Sequence, residues 1–412
     1  MAVIFYGTAG RVSAGRWWKR WGRLQWGIAL GLLPLTLFLF QRVALAAPLA
    51  NLVAIPWVGF LVVPLTLLGS VLVLMWPAAG DALLQAAEAC LSLLWTVLER
   101  IASLDFLLWV RPAPPLWTVA AACVGVAWLM APRGVPGRWV GAVWVLPLVL
   151  IRPEAPAEGA VRMTLLDVGQ GLAAVVQTRQ HVLLYDAGPR FSPRFDAGSA
   201  VVVPFLRHAG VKRLDMVVLS HPDNDHLGGA DAVVETFDVA GVLTSAPEDL
   251  HGVDAHPCRA GQSWRWDGVL FRMLHPPSGV AAGGNNASCV LHIQAQGGSI
   301  LLPGDIEREA EVSLVADQRL PPSSVVVAPH HGSRTSSSTV FVQAVQARFA
   351  LFAAGYRNRF HFPSPSVVER YRAAGGVAAN TAEDGAVTAV IDDAGVSLES
   401  YRRRVPHWWS GR

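Results

Sequence analysis

Residues 219 to 229 read "LSHPDNDHLGG" and place two histidines and two aspartates, His221, Asp223, Asp225 and His226, within six consecutive positions. The loop follows directly on the apolar run "LDMVVL". A tight loop can turn His221 and Asp223 to one metal ion and Asp225 and His226 to a second. A lone histidine after a strand is ordinarily structural, and "PDND" alone is a turn signal. The loop therefore takes its meaning from recurrence. Asp167, Asp186, Asp305 and the pair His330 and His331 also follow immediately on short apolar runs. Ends of strands in one sheet converge, and rigid strands hold the side chains of the loops that follow them.

These positions suggest a two-ion chemistry. Asp305, acceptor-only when ionised, suits a bridge between two ions, with His330 or His331 completing the second. Two divalent ions ~3.5–4 Å apart clamp the attacking and leaving oxygens of a phosphodiester. A carboxylate at Asp223 in place of an imidazole hardens one site and tilts the choice to manganese, with zinc still open.

Around the loop, residues 161 onward alternate short β-rich runs, among them "HVLLYDAG", "GVLFRMLHP", "SILLPGD" and "AVTAVIDD", with helix-compatible stretches at 199–209, 229–237, 307–316, 338–347 and 364–374. That pattern predicts a layered α/β domain with sheets covered by helices. The chain before it differs in kind. Of 33 Lys+Arg and 30 Asp+Glu, residues 1–159 hold 11 and 6, leaving 22 and 24 for the remainder. The first part is poor in charge and net positive, so the overall net charge of +3 is no argument for nucleic acid by itself.

A membrane-spanning helix needs ~20 apolar residues. Residues 24–45 and 51–76 reach that length, while 116–131 and 139–151 are shorter but free of charge. The 82–110 segment, interrupted by Glu88, Glu99, Arg100 and Asp105, either spans or lies in the interface. Repeated apolar runs exclude a cleaved signal peptide as the explanation. Arg11, Arg16, Lys19, Arg20 and Arg23 put the N-terminal flank on the cytoplasmic side. Five spans would also keep Arg133 and Arg138 inside and deliver the β-rich domain outside. Pro34, Pro56 and Pro64 mark kinks or broken helices. None of the four cysteines has metal-binding spacing, and a Cys258–Cys289 disulfide is open to the chain in an oxidising compartment.

"SHPDNDH", with "DVGQG" and "YDAG" before it and "LLPGD" and "PHHGS" after it, resembles the metallo-β-lactamase fold in its hydrolase form, an αββα sandwich. Together with "LGLLPLTLFLF" and "PLANLVAIPWVGFLVVPLTLLG", it makes the chain similar to the later portion of the ComEC-type family of DNA-internalisation competence proteins. The resemblance implies a partial polytopic channel domain at 1–155 in the bacterial inner membrane, in contact with lipid. It implies a hydrolase domain at 156–412 on the external side that degrades the DNA strand not transported. Single-stranded DNA and other competence proteins are the implied partners, with oligomerisation left open.

Carried over residue by residue, His221, Asp223, Asp225, His226, Asp305 and His330 would be ligands of two divalent ions. Asn286, Ser288, His331, Ser333, Arg357 and Arg359 would line the phosphate site. Asp225, with His331 or His361 near the leaving oxygen, would carry catalysis. Two departures stand out: Leu172 replaces the acidic residue the family carries after "DVGQG", and the family's further spans and DNA-binding domain precede the point where this chain begins. The rival readings are a transport subunit with a vestigial metal site and a membrane-tethered phosphodiesterase acting on small or envelope substrates; fold alone does not choose among them.

Overall fold

The computed structural model describes residues 17–104, 107–132, 134–151, 154–250, 253–277 and 284–405. Arg11, Arg16, Asp105, Arg133 and the tail after 405 lie outside the described residues. The chain divides into two units, Met1–Pro153 with Arg207–Gly210, and Glu154–Leu206 with Val211–Arg412.

In the first unit the apolar runs form helices α1 (Trp17–Phe40), α2 (Ala47–Trp57), α3 (Val63–Met75), α4 (Pro77–Ala102), α5 (Leu116–Leu129) and α6 (Gly141–Leu150). A π-helical turn, Val58–Val62, joins α2 to α3, so Ala47–Met75 runs on as one rod between Pro56 and Pro64. Proline removes a backbone donor, and a π turn absorbs the resulting mismatch without breaking the helix. Those two prolines therefore mark an adjusted helix rather than a broken one. Residues 82–102 of the ambiguous 82–110 segment lie in the 26-residue α4, which with Trp21–Phe40 and Ala47–Met75 is long and apolar enough to cross a membrane. By contrast α5, at 14 residues, rises only ~21 Å against a ~30 Å hydrocarbon core. It packs against α6 through Gly125 and Gly141, where a Cβ on either glycine would fall 2.4 Å from the other's carbonyl oxygen. Small residues allow that approach where no hydrophobic force drives apolar helices together in lipid.

The second unit is built from short apolar strands, most of them buried on both faces. Its main strands are β1 (Val161–Leu165), β2 (Ala174–Gln177), β3 (Val182–Tyr185), β4 (Met216–Leu219), β5 (Val242–Thr244), β6 (Ala255–Pro257), β7 (Ser263–Trp266), β8 (Val269–His275), β9 (Val290–Ala295), β10 (Gly298–Leu302), β11 (Val325–Val327), β12 (Phe349–Phe352), β13 (Val377–Asn380), β14 (Val387–Asp392) and β15 (Gly395–Ser400). They form an eight-stranded sheet, β6-β5-β4-β3-β2-β1-β14-β15, and a seven-stranded sheet, β7-β8-β9-β10-β11-β12-β13. Ile300, Leu302, Val325, Val327 and Leu351 join Met163, Leu165, Leu183, Tyr185 and Ile391 in one core. Their neighbours Leu301, Val326, Ala350 and Phe352 turn to a second core with Leu314, Phe341, Val367 and Tyr371 of the helices Arg308–Ala316, Thr339–Val345 and Pro365–Ala373. Buried strands with helices on a sheet's outer face are the layers the sequence predicts.

Each sheet changes from antiparallel to parallel once. In the first the change falls at β3, antiparallel to β2 and parallel to β4; in the second it falls at β10, antiparallel to β9 and parallel to β11. Parallel neighbours end at the same sheet edge. The four segments leaving those edges carry Asp186 after β3, His221 after β4, Asp305 after β10 and His331 after β11.

Candidate metal centre

His221 leaves β4 through Ser220, and Asp223 then opens a single helical turn, Asn224–Leu227, that carries Asp225 and His226. The His226 amide donates to the Asp223 carbonyl at 3.0 Å. From the second sheet, Gly304 turns the chain with φ +60° and sits so close that a Cβ would lie 2.8 Å from Ser288 Cβ and 2.9 Å from Ser220 Cβ. Only glycine fits there, and it delivers Asp305 to the ligand loop. His330 and His331 both adopt left-handed backbone, φ 52° and 55°. Such strain in two consecutive non-glycine residues recurs at functional sites.

Three imidazoles are held with one nitrogen outward. His226 Nδ1 lies 2.7 Å from Asp186 Oδ2, and His331 Nδ1 lies 2.9 Å from the Ala353 carbonyl oxygen. Ser220 Oγ donates to Asp186 Oδ2 at 2.8 Å, which leaves it as acceptor for His221 Nδ1 at 3.0 Å. Each outer acceptor therefore keeps a proton on Nδ1 and leaves Nε2 as the inward nitrogen, the one a ligating histidine with such a partner gives to a metal once any proton there is released.

The inward atoms meet. His221, His226 and Asp305 present ligand atoms within 4.8 Å of one another, as do Asp225, His226 and His331. Asp305 Oδ1 lies 3.1 Å from His226 Nε2, and its Oδ2 lies 3.4 Å from His331 Nε2. His331 Nε2 stands 3.2 Å from Asp225 Oδ2. His221 Nε2 and Asp305 Oδ1 are buried and make no hydrogen bond of acceptable geometry, the arrangement a cation satisfies. The donor set thus fits a divalent metal. Because a ring nitrogen ligates one ion, the two groups do not both keep His226. Leaving it with Asp225 and His331 gives the other ion His221, Asp305 and the half-exposed Asp223, whose Oδ2 is 3.5 Å from His221 Nε2.

Electrostatics follow from burial and charge. Burial opposes ionisation of Asp305, but His226 and His331 outweigh it and hold the carboxyl far below the usual range. For His226, burial is outweighed by Asp305 and Asp186, and the pKa rises well above that of a free imidazole. His221 moves the other way, through burial and the nearby His226. Asp225 is lowered, since the hydrogen bond from His331 and the charge of His226 overcome its burial.

Several predicted site residues take other places. His330, expected among the ligands, has its Nε2 3.9 Å from Asp305 Oδ2 and its Nδ1 3.2 Å from Thr335 Oγ1 and 3.4 Å from Glu307 Oε1. His331 stands in the inner group instead, because successive left-handed residues aim their rings apart. Asn286 and Ser288, expected to line a phosphate site, are used inside the fold. Asn286 Oδ1 accepts the Glu307 amide at 2.9 Å and its carbonyl lies 2.8 Å from His275 Nε2; the fully buried Ser288 Oγ accepts the Asp305 amide at 3.1 Å. Ser333 is buried in the turn, with Oγ 3.1 Å from Thr335 Oγ1. Arg357, Arg359 and His361 lie on the 355–362 loop, whose Phe362 ring reaches His330 and His331 at 5.9 and 6.4 Å. Leu172 is core, and its amide braces the Asp225 carbonyl at 3.0 Å. Asp167 pairs with Arg402 at 3.2 Å, away from the groups just described. The roles of Asp186 and Ser220 as outer partners carry only a weak sequence signal, the aspartate of "YDAG" following a strand.

Two apposed sheets whose adjoining edges gather histidines and carboxylates define the metallo-β-lactamase fold, and residues 166–355 match the family description "Metallo-beta-lactamase superfamily". Residues 1–136 match "Competence protein", so this chain joins a competence-protein domain to a metallo-β-lactamase-superfamily domain. It is 36% identical to "Competence protein ComA" of Neisseria gonorrhoeae over 99% of this chain and 57% of that protein. It is 32% identical to "Uncharacterized protein YcaI" of Escherichia coli strain K12, over 94% of this chain and 50% of that one. Identity to "ComE operon protein 3" of Bacillus subtilis strain 168 is 27%, over 82% and 48%. The chain spans about half the length of the curated relatives it matches.

Proposed function

We propose that this protein serves DNA uptake in natural transformation, as a membrane channel component whose β-rich domain hydrolyses phosphodiester bonds of the strand not transported. The observation that carries the reading is the inward set of three Nε2 atoms with Asp225 and Asp305, each ring backed by its own acceptor. A vestigial site has no reason to keep those outer partners, so the arrangement favours a working hydrolase over a purely structural subunit. Two divalent ions, manganese first and zinc second, would supply Lewis acidity to the phosphoryl oxygens. Among the chain's own groups, Asp225 holds its place against His331, and Asp186 keeps the His226 ring in one tautomer. His361, outside the ligand groups, is the histidine left to give a proton to the leaving oxygen. Arg357 and Arg359 would steady the backbone.

Parity supports an external position for the β-rich domain. Backbone pairing of Arg42–Ala44 with Leu108–Val110 supports an even number of crossings between them. With Ala47–Met75 crossing, Pro77–Ala102 must cross too. The short antiparallel pair α5 and α6 adds two crossings or none. Either way an N-terminus inside puts the β-rich domain outside the inner membrane, the oxidising side that suits the Cys258–Cys289 disulfide.

Full-length protein in detergent with manganese is expected to cut single-stranded DNA, and Asp225→Ala to lower the rate by at least ~100-fold. Cleavage retained in that variant sinks the ligand assignment. An alkaline phosphatase fused after residue 156 should be active in cells, and an inactive fusion reverses the topology.

A further inference from the structure

Two exposed aromatic edges are attached to the segments that carry the ligand groups. The first is a short hairpin, Arg190–Ser192 against Phe195–Asp196, which sets Phe191 and Phe195 side by side with ring centroids 5.3 Å apart. Both rings are more than half exposed, at 54% and 53%. The hairpin is tied to the ligand loop: Asn224 Nδ2 donates to the Arg190 carbonyl at 3.1 Å, the Arg190 amide to Asn224 Oδ1 at 3.3 Å, and Arg190 Nε to the Gly228 carbonyl at 3.2 Å. Asn224 stands between Asp223 and Asp225.

The second edge is the 355–362 loop. Tyr356 and Phe360 are 69% and 49% exposed, with the Arg357 and Arg359 guanidinium carbons 5.2 and 4.7 Å from their ring centroids. Phe360 stacks on Phe362, the ring beside His330 and His331. Gly169 and Gln170 join the two edges. Gln170 Oε1 accepts the Gly355 amide at 3.3 Å, and a Cβ on Gly169 would lie 3.8 Å from Phe191 Cζ.

A single exposed aromatic ring needs no explanation, but four, in two pairs tied to the segments of one site and accompanied by arginines, do. Flat π faces beside guanidinium groups recognise an unpaired base and its phosphate. In a duplex those base faces are already stacked on each other and are unavailable. Lipid headgroups also attract aromatic and basic residues. Attachment of both edges to the segments that carry the ligand groups favours a substrate held across the site.

We propose that these edges are stacking platforms for unpaired bases on the two sides of the scissile phosphate, so that the domain accepts single-stranded nucleic acid and refuses duplex. This rests on the phosphodiesterase reading above. The test uses full-length protein in detergent with EDTA, which stops turnover, and a 12-nucleotide DNA carrying 2-aminopurine, read by anisotropy and by fluorescence quenching. The single strand should bind at least tenfold more tightly than the same sequence as duplex. Phe191→Leu with Phe195→Leu, and separately Tyr356→Leu with Phe360→Leu, should each weaken single-strand binding on the order of tenfold, reduce quenching and leave duplex binding as it was. Phe191→Trp with Phe195→Trp should preserve binding, which apolar bulk alone does not. Absence of a single-strand preference, or unchanged binding in both leucine variants, overturns the proposal and leaves lipid as the partner of these rings. Cleavage with manganese is scored separately. Wild-type protein that binds through the rings but cuts no nucleic acid overturns the nuclease reading alone, whereas leucine variants that bind and cut like wild type overturn the platforms alone.

Discussion

The two sides of the candidate metal centre are built with unequal exposure. On the His221 side, His221 and Asp305 are buried and Asp223 alone reaches water, its side chain 57% exposed. On the His331 side, Asp225 is 34% exposed beside a buried His226 and His331. Each side thus combines deep imidazole with one wetter carboxylate, and Asp305 faces both. The difference lies in what stands behind. His221 rests on a serine hydroxyl, whereas His226 rests on a buried carboxylate that favours its charged form. A ring polarised by a carboxylate is the stronger donor, so the His331 side is expected to hold its ion more tightly.

The largest effect should come from breaking what the sides share. Asp305→Ala should lose both ions, read by elemental analysis after dialysis, and bring DNA cleavage to background. One ion retained would mean Asp305 serves a single side. A smaller effect separates neighbours in sequence: His331→Ala should weaken manganese affinity at least ~10-fold to 100-fold, whereas His330→Ala should change it only a few-fold, by isothermal titration. The opposite ranking would return His330 to the ligand set.

The smallest effect concerns a buried histidine given no acceptor at all. His292 is fully buried, neither ring nitrogen has a hydrogen-bond partner, and burial followed by the charge of Arg272 pushes its pKa down to about 4. Between about pH 4 and the free-imidazole value near 6.5, the unfolded chain binds a proton that the folded one refuses. Stability therefore rises with pH across that window and levels off above it, by roughly 3 kcal/mol for this group. Thermal unfolding in detergent should show a smaller loss between pH 7 and pH 5 for His292→Leu than for wild type; equal losses would show that the ring is not the cause.

Much of this was legible in local pattern. Short, continuously apolar runs such as "SILLP" and "SSVVVAP" read as strands, and the structure buries them on both faces, Ile300 and Leu302 in one core and Leu301 in the other. Ligand-grade residues immediately after strands marked Asp305 and the 219–229 loop, because a strand's end is a local property. The choice between His330 and His331 was not legible. It depends on two consecutive left-handed residues that send adjacent rings apart, and no composition signal encodes that. Ser288 and Asn286 read as phosphate contacts because their hydrogen-bond partners, Asp305 and Glu307, are distant in sequence. The 82–110 segment was ambiguous because Glu88, Glu99 and Arg100 interrupt its apolar run, whereas the structure carries those charges on one unbroken helix, Pro77–Ala102.

By itself the sequence determined an apolar helical part, a layered α/β part and the residues able to bind metal, because hydrophobic periodicity and strand-end position act over a few residues. Only the tertiary structure decided which of those residues meet, which acceptor stands behind each imidazole, and that two aromatic edges border the site. Those outcomes depend on bringing the parallel pairs β3 with β4 and β10 with β11 to adjoining sheet edges, a relation between segments far apart in the chain.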